Sequence, residues 1–425
     1  LVIMNFTILE NGIRIFTHHD SNAESAALGV YINVGSGHET LFQNGLAHML
    51  EHALLKGRTN SHLGRSRKQT LELNACFHAY TTRQETAFLA QISSIHLPQA
   101  LKALLGMITT SSISLQKIDE VRREIDIEIC EKTKSPSDIA FDAFLQTCFQ
   151  DHSIGRPVLG TSQTISNFNL IDLKNFKRKH YLAPQLLVCG VGNVNHDLIT
   201  KISEIKLQTI SKELPSPVEP IFWTGGRREV FFPVKQSFLY IGFGMPWKNN
   251  DSMYSLTLLA YLLNDSLATL SDQNHYNNEE ESRFIFSRAQ FYRNIGVLGI
   301  FTKIDICSVN RIIKALGLTL KDMSRFVSKK NLEESKNRLI KDLFPITASV
   351  TDRLHLFSES ILKSNKFSSK KRIVENIQRI SEKRTCQLME ELLSTTNPAV
   401  TILSEHSTLM QQEQLIKNLT ISCGN

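Results

Sequence analysis

The sequence predicts an α+β protein made of two related halves, each a mainly antiparallel sheet covered by helices. Strand-like and helix-like segments occur in both halves without the strict alternation of a parallel α/β protein. A stretch rich in proline and glycine, residues 212–230, divides the 425-residue chain near its middle. The second half also repeats part of the first, which indicates a duplication. We therefore expect an N-terminal domain at 1–211, a linker at 212–230 and a C-terminal domain at 231–425.

The first half supplies the clearest elements. Apolar and polar residues alternate on both sides of Asn11-Gly12, a pair typical of tight turns, which predicts a β-hairpin there. Farther on, β-type runs predict strands, whereas apolar residues at steps of three and four predict helices. The expected strands are 26–34 and 76–92, and the expected helices are 43–57, 97–110 and 114–132.

The repeat relates an apolar strand and the helix that follows it in each half. With a shift of 213 residues and no gap, Gly29 aligns with Gly242. The same shift places Tyr261, Asn264 and Asp265 opposite three polar residues of the first helix, which are His48, Glu51 and His52. We therefore predict a duplicated domain in which the first copy keeps a metal site and the C-terminal copy has lost it.

The composition is that of a globular protein without a nucleic-acid or membrane partner. Residues are 41% hydrophobic and 21% charged, and the net charge of +7 is spread over short runs without interleaved aromatic residues. Seven cysteines without a Cys-x-x-Cys pair indicate reduced, intracellular usage. We find no signal peptide and no apolar run of about 18 residues. A cytoplasmic location is therefore favoured over the mitochondrial matrix.

A short helix in the first half carries three side chains suited to a metal site. In GLAHMLEHALLKG, residues 45–57, His48 and His52 are four positions apart and therefore lie on one helix face. Glu51 lies at the edge of that face, where it could hydrogen-bond a metal-activated water without binding the metal. Two imidazoles, a carboxylate and an open fourth position are the arrangement of hydrolytic zinc sites.

A third ligand is expected from the helix at 114–132. Ile118, Val121 and Ile125 form an apolar stripe, and Glu128 occupies its next position. A carboxylate on a buried stripe is costly unless it is paired or bound to a cation. The alternative is that the two histidines are ordinary, partly exposed helix residues, because His-x-x-Glu-His alone is only a moderately specific pattern. Glu128 favours the metal site over that alternative.

Four stretches, which begin at residues 44, 78, 155 and 180, are NGLAHMLEHALLKGRT, HAYTTRQETAFLAQI, GRPVLGT and HYLAPQLLVCGVGNV. They resemble blocks of the pitrilysin and mitochondrial-processing-peptidase family of zinc metallopeptidases, whose His-x-x-Glu-His motif defines inverzincins. The 76 positions from His52 to Glu128 match the spacing to that family's third ligand. The resemblance covers nearly all of 1–200 and, more faintly, 228–420.

This resemblance implies a zinc metalloendopeptidase. One Zn²⁺ per chain would be held by His48, His52 and Glu128, and Glu51 would be the general base. The substrate would be a peptide or unfolded protein segment, added as a strand along the segment from His78 through Ala79 and Tyr80 to Thr81. Two halves, or two subunits of a dimer, would enclose the substrate.

Three departures from the family pattern lie near the expected metal site. Val121 stands where the family has a second glutamate, and Glu124, one turn before Glu128, could partly replace it in the second shell of the metal. His78 stands where the family has asparagine, which puts the strand's contact with substrate in doubt. Leu73-Asn74-Ala75 replaces the usual Gly-Gly before that strand.

A fourth departure concerns an arginine and a tyrosine, seven residues apart, that bind the substrate carbonyl in active members. Neither stands at the expected place in 262–291, where Phe286 is the nearest match to the tyrosine and an acidic, Asn-rich insert covers 274–281. We therefore predict a heterodimer whose homologous partner supplies the pair, although a homodimer stays open. The rival is a catalytically weak or inactive scaffold subunit of a processing-peptidase-like complex.

Overall fold

The structure, a computed structural model, describes residues 2–59, 76–109, 115–247, 250–272, 285–305, 309–344, 349–364, 368–395 and 397–406. The chain divides into two compact units, each with one sheet. The first unit comprises Leu1–Glu131, Arg156–Glu219 and Ile346–Phe367. The second unit comprises Lys132–Gly155, Pro220–Pro345 and Ser368–Asn425. Two sheets, each combined with helices, confirm the predicted α+β class.

The helices are numbered in chain order. They are α1 (Leu46–Thr59), α2 (Leu97–Thr109), α3 (Leu115–Lys132), α4 (Pro136–Phe149), α5 (Ser162–Asn167), α6 (Leu170–His180), α7 (His196–Leu207), α8 (Asn250–Asp272), α9 (Val309–Phe326), α10 (Lys329–Leu343), α11 (Val350–Ser364), α12 (Lys370–Arg379) and α13 (Glu382–Thr395). The first three correspond to the predicted helices. None of these described helices combines the length and the apolar character that crossing a bilayer requires.

The sheet of the first unit has six strands, β1 (Val2–Ile8), β2 (Arg14–Asp20), β3 (Ser25–Ile32), β4 (Cys76–Thr81), β5 (Thr86–Ser93) and β6 (Leu186–Gly192). Their spatial order is β1-β2-β6-β3-β5-β4, so β1 and β4 are the edges. Neighbours are antiparallel except β2 and β6. The predicted hairpin is present as β1 and β2, and Gly12 in its turn has a φ of 93°, which favours glycine.

The segment 76–92 is a hairpin and not the single strand that was predicted. β4 and β5 pair along their length, and a four-residue turn joins them. In that turn, the hydroxyl oxygen of Thr82 accepts hydrogen bonds from the N–H groups of Gln84 and Glu85, at 3.1 and 3.0 Å. The threonine side chain thus replaces a strand partner for these backbone groups, which lets the chain reverse.

The second unit has a five-stranded sheet of β7 (Gly226–Phe231), β8 (Ser237–Pro246), β9 (Phe286–Tyr292), β10 (Ile295–Ile304) and β11 (Ala399–Ser404). Its order is β7-β11-β8-β10-β9, and only β7 and β11 are parallel among these pairs. The first unit shows the same order in β2-β6-β3-β5-β4, with its parallel pair at the same place. Two sheets with one topology are what a duplicated domain predicts.

The glycines aligned by the 213-residue shift lie at matching places in the two sheets. Gly29 is in β3 and Gly242 is in β8, the central strands that precede α1 and α8. A Cβ at Gly29 would lie 2.5 Å from the ring of Tyr31, and one at Gly242 would lie 2.7 Å from the ring of Phe144. Each glycine therefore leaves room for an aromatic side chain on its sheet.

Two helices belong to a unit other than their position along the chain suggests. α4 lies in the first half of the sequence but in the second unit, where Phe144 is buried beside Tyr240. α11 lies in the second half but in the first unit, where Leu354 and Ile361 are buried in a cluster with residues of β3 and β6. The predicted contiguous ranges 1–211 and 231–425 do not include this exchange of helices. Each helix packs its apolar side chains against a sheet that is distant in sequence.

Candidate metal centre

The helix that carries the two histidines is fixed at its N-terminus by a buried carboxylate. Glu39 accepts hydrogen bonds from the N–H groups of Gly45 and Ala47, at 2.9 and 2.7 Å, and from the side chain of Asn44 at 3.4 Å. The carboxylate thus supplies acceptors for backbone N–H groups that a helix leaves without partners in its first turn. Burial raises the pKa of Glu39 to about 8, against the effect of the three donors.

The segment from Arg156 onward supports the same turn. The Arg156 guanidinium donates to the backbone oxygen of Glu39 at 2.6 Å, and the Asn44 side chain donates to the backbone oxygen of Pro157 at 2.8 Å. Gly160 has a φ of 72°, and a Cβ there would lie 2.4 Å from the backbone oxygen of Asn44. The GRPVLGT stretch therefore holds the turn that precedes α1. The sequence analysis did not identify Glu39 as the acceptor for the first turn of α1. The only sequence signal for this role is that an acidic residue stands shortly before a predicted helix.

The three predicted ligands are brought together by α1 and α3. Glu128 Oε2 lies 3.4 Å from His48 Nε2, and Glu128 Oε1 lies 3.3 Å from His52 Nε2. One donor atom from each residue lies within 4.8 Å of the other two. Ligands of a tetrahedral ion with bonds of about 2.1 Å lie about 3.4 Å apart, so the donor set fits Zn²⁺. No other group of three such donors occurs among the residues that the structure describes.

Glu128 is more exposed than its place on the stripe predicts. Ile118, Val121 and Ile125 are buried, but the Glu128 side chain is 39% exposed, because the stripe leaves the core toward the end of α3. Partial burial raises the pKa of Glu128, and the nearby Glu124 raises it further, while His52 lowers it. A cation beside this carboxylate would favour its ionised form.

Glu51 lies in the same helix turn and is almost fully buried. Its Oε2 lies 3.9 Å from His48 Nε2 and accepts a hydrogen bond from the Thr81 hydroxyl at 3.1 Å. Burial raises the pKa of Glu51 to about 7, and the nearby His52 and the Thr81 hydrogen bond oppose this effect. A carboxylate that holds and releases a proton near neutral pH is suited to general acid–base chemistry.

Glu124 lies close to the metal donors without a close contact to them. Its Oε2 is 3.6 Å from His52 Nδ1, which is too long for a hydrogen bond. Its other oxygen, Oε1, contacts the Lys56 ammonium one turn farther along α1. Lys56, and not His52, is therefore the hydrogen-bonding partner of the Glu124 carboxylate. The position usually occupied by a second family glutamate, Val121, is fully buried and apolar.

The predicted substrate strand is the edge strand β4, and α1 packs beside it. Its side chains alternate between the two sheet faces. Ala79 packs against the core that contains α1, and Thr81 contacts Glu51 on this same side. His78 and Tyr80 point to the opposite face, where Tyr80 donates to Glu85 at 2.9 Å. Only two of the four predicted residues therefore have side chains on the metal side.

The second unit shows how the repeated helix is held without metal donors. Tyr261, the counterpart of His48, donates to Asp342 at 2.7 Å. Asp265, the counterpart of His52, forms an ion pair with Arg338 of α10. Asn264 exchanges hydrogen bonds with the backbone of β9 and takes the place of Glu51. Polar contacts between side chains thus join the helices where the first unit has its donor set.

Two of the four departures from the family pattern involve residues that the structure does not describe. These are residues 73–75 and the insert at 274–281. Phe286, the nearest match to the missing tyrosine, is the first residue of β9 and is half-exposed. It has no hydroxyl group with which to bind a carbonyl.

Two family models match the chain in succession. The one described as Insulinase (Peptidase family M16) matches residues 14–162. The one described as Peptidase M16 inactive domain matches residues 167–339. Together they cover more than half of the 425 residues, and the first contains the whole donor set.

Curated relatives match over almost the whole chain. An uncharacterized zinc protease of Rickettsia felis is 25% identical over 394 residues, which are 92% of this chain and 94% of that protein. The probable mitochondrial-processing peptidase subunit beta of Schizosaccharomyces pombe is 25% identical over 98% of this chain and 94% of its own length. A solved protease from Helicobacter pylori has the same fold, with a TM-score of 0.82 at 18% identity over 95% of this chain and 100% of that one. The relatives' names and the donor set support Zn²⁺ as the cofactor.

Proposed function

The chain belongs to the M16 family of peptidases, and on this premise we propose that it is a zinc-dependent metalloendopeptidase that cleaves peptides or unfolded protein segments. The observation that carries the proposal is the buried carboxylate of Glu51 beside the donor set. A purely structural zinc site has four closed protein ligands. Here three donors converge, and an acid–base group stands 3.9 Å from one of them.

The proposed chemistry divides between the ion and the protein. Zn²⁺, held by His48, His52 and Glu128, would polarise the scissile carbonyl and lower the pKa of the attacking water. Glu51 takes the proton from that water and later delivers it to the leaving amine. Burial raises the pKa of Glu51, whereas a bound Zn²⁺ would lower it and favour the ionised carboxylate that accepts the proton.

The proposed substrate site is the outer edge of β4. An edge strand offers unpaired N–H and C=O groups to an extended chain, so a peptide adds to the sheet through main-chain hydrogen bonds. Such binding needs an extended substrate, which favours peptides and unfolded segments over folded proteins. Because Thr81 of this strand contacts Glu51, a peptide bound there runs past the general base.

The rival function is that of a scaffold subunit with little or no activity. Three features favour it, namely the buried Val121, the exposed His78 in place of asparagine, and Phe286 without a hydroxyl. Zinc content and turnover of a quenched peptide library discriminate the two functions. Stoichiometric zinc with turnover supports the peptidase, whereas zinc without turnover, alone and with every candidate partner, supports the scaffold.

A heterodimer is proposed as the active form. The Schizosaccharomyces pombe relative is named as a subunit, and the arginine–tyrosine pair is missing from its expected place in this sequence. A homologous partner that carries this pair is expected to raise turnover when mixed with the chain. Equal cleavage by the isolated chain and by the reconstituted pair would contradict the heterodimer.

Glu51→Gln tests the proposed general base. The amide keeps the shape of the side chain but cannot take a proton, so turnover should be lost while zinc stays bound at one ion per chain. Asn264→Ala changes the matching position in the metal-less copy and is the control, since it should leave zinc content unchanged. Normal turnover by Glu51→Gln would rule out the role of Glu51.

A further inference from the structure

One side chain of the edge strand reaches the general base. Thr81 is the last residue of β4, and its hydroxyl donates to Glu51 Oε2 at 3.1 Å. Among the described residues, this is the one hydrogen bond found for the Glu51 carboxylate. A glutamate side chain has three rotatable bonds, and burial alone does not fix the direction of its carboxylate. The threonine hydroxyl therefore fixes the orientation of the carboxylate.

The metal-less copy contains a link at the corresponding place. Asn264, the counterpart of Glu51, accepts from the backbone N–H of Ser287 at 2.6 Å and donates to its backbone oxygen at 3.0 Å. Ser287 is in β9, which is the counterpart of β4 at the edge of its sheet. In both copies, hydrogen bonds thus connect this position of the helix to the edge strand of the sheet.

The chemistry of the two links differs. Asn264 both donates to and accepts from the strand backbone through its amide, so its side chain is held at the nitrogen and at the oxygen. Thr81 engages a single carboxylate oxygen through a side chain, and it needs no donor from Glu51. The first copy therefore keeps the link and leaves the carboxylate with capacity to exchange a proton.

We propose that Thr81 is a positioning residue, which aims the Glu51 carboxylate and couples it to the strand on which the peptide lies. The proposal rests on the proposed peptidase function and adds a residue to it. The side-chain hydroxyl contacts Glu51, whereas the proposed peptide pairs with the main chain of the strand, so the hydroxyl acts through Glu51. Misplacement of a reacting group by about 1 Å costs up to about a hundredfold in rate, so loss of this contact should lower kcat.

The test compares two Thr81 variants with the wild type, each as the full-length, zinc-loaded protein in the form that shows turnover. Thr81→Val removes the hydroxyl but keeps the shape and the strand preference, whereas Thr81→Ser keeps the hydroxyl. We expect Thr81→Val to lower kcat by about tenfold to a hundredfold with little change in KM. Thr81→Ser should retain most of kcat. Thr81→Ala replaces the valine variant if valine does not fold.

Ser287→Ala in the other copy is the matched control. It removes a hydroxyl that donates to Ala260 and Asn264, at 2.6 and 3.1 Å, far along the chain from the metal donors. Its kcat should equal that of the wild type. Equal losses in Thr81→Val and Ser287→Ala would show that general loosening lowers the rate, and this would overturn the proposal.

Crystal structures of the zinc-loaded wild type and Thr81→Val give a readout without activity. We expect zinc in both, with the Glu51 carboxylate turned to a different rotamer in the variant. An unchanged carboxylate position would overturn the proposal even if kcat fell. If the wild type cleaves no peptide with any partner, the peptidase function fails, while the crystal comparison still decides whether Thr81 positions Glu51.

Discussion

Glu39 makes the anchoring of the metal-binding helix testable by pH. Its carboxyl group is buried, and burial raises its pKa from the ordinary 4.5 to about 8. Between pH 4.5 and about pH 8, Glu39 keeps a proton in the folded chain that it has lost in the unfolded chain. Stability contributed by Glu39 is therefore fully present below about pH 4.5 and falls as the pH rises through 8. Integrated from pH 5 to pH 8, the loss is about 3–4 kcal/mol.

Glu39→Gln supplies the reference without titration. The amide keeps one acceptor for the N–H groups of Gly45 and Ala47, and it loses the other. This loss should cost about 1–3 kcal/mol at pH 5, where both side chains are neutral. Because only the wild type loses stability as the pH rises, the two free energies of unfolding should cross between pH 5 and pH 8. The variant should be the more stable protein at pH 8.

The assay must report on the first unit. Both tryptophans, Trp223 and Trp247, belong to the second unit, so their fluorescence does not report on α1. Amide hydrogen exchange of the peptide that contains residues 46–59, corrected for the intrinsic rate at each pH, measures the stability of the helix directly. The reasoning would be refuted if the stability of Glu39→Gln fell further below that of the wild type as the pH rose from 5 to 8. It would mean that the three donors and the helix N-terminus keep the buried carboxylate ionised.

Four further outcomes are expected. Glu128→Gln should weaken zinc binding by at least about tenfold in a chelator competition, because a neutral amide oxygen replaces a carboxylate ligand; unchanged affinity would exclude Glu128 as a ligand. Gly160→Ala should destabilise the first unit by about 1–3 kcal/mol in hydrogen exchange, since its φ of 72° and the oxygen of Asn44 leave no room for a Cβ. Gly242→Ala should lower the tryptophan-detected unfolding midpoint, because its Cβ would lie 2.7 Å from the buried Phe144 ring, and an unchanged midpoint would show that the ring moves freely. Removal of zinc by a chelator should lower hydrogen-exchange protection of α1 and leave the tryptophan-detected midpoint unchanged.

Local periodicity predicted much of the first unit. The hairpin at Asn11-Gly12 and the helices α1 to α3 follow from residue spacing, because turn preference and helix geometry act over a few neighbours. The 76–92 segment was divided wrongly, since a turn built from Thr82 and polar neighbours contains no glycine or proline to mark it. The strand order of both sheets was beyond prediction, since it depends on pairing between residues far apart.

The two histidines share a helix face because helical geometry places residues four apart one above the other, and this follows from the sequence alone. The 213-residue repeat likewise predicts two related halves, and their two sheets share one strand order. Contacts between distant segments depend on tertiary structure. Glu128 reaches the histidines from α3, Glu39 accepts from the first turn of α1, and Thr81 reaches Glu51 from an edge strand. Each contact requires two elements to pack at a particular distance, and core packing, which no local pattern encodes, sets that distance.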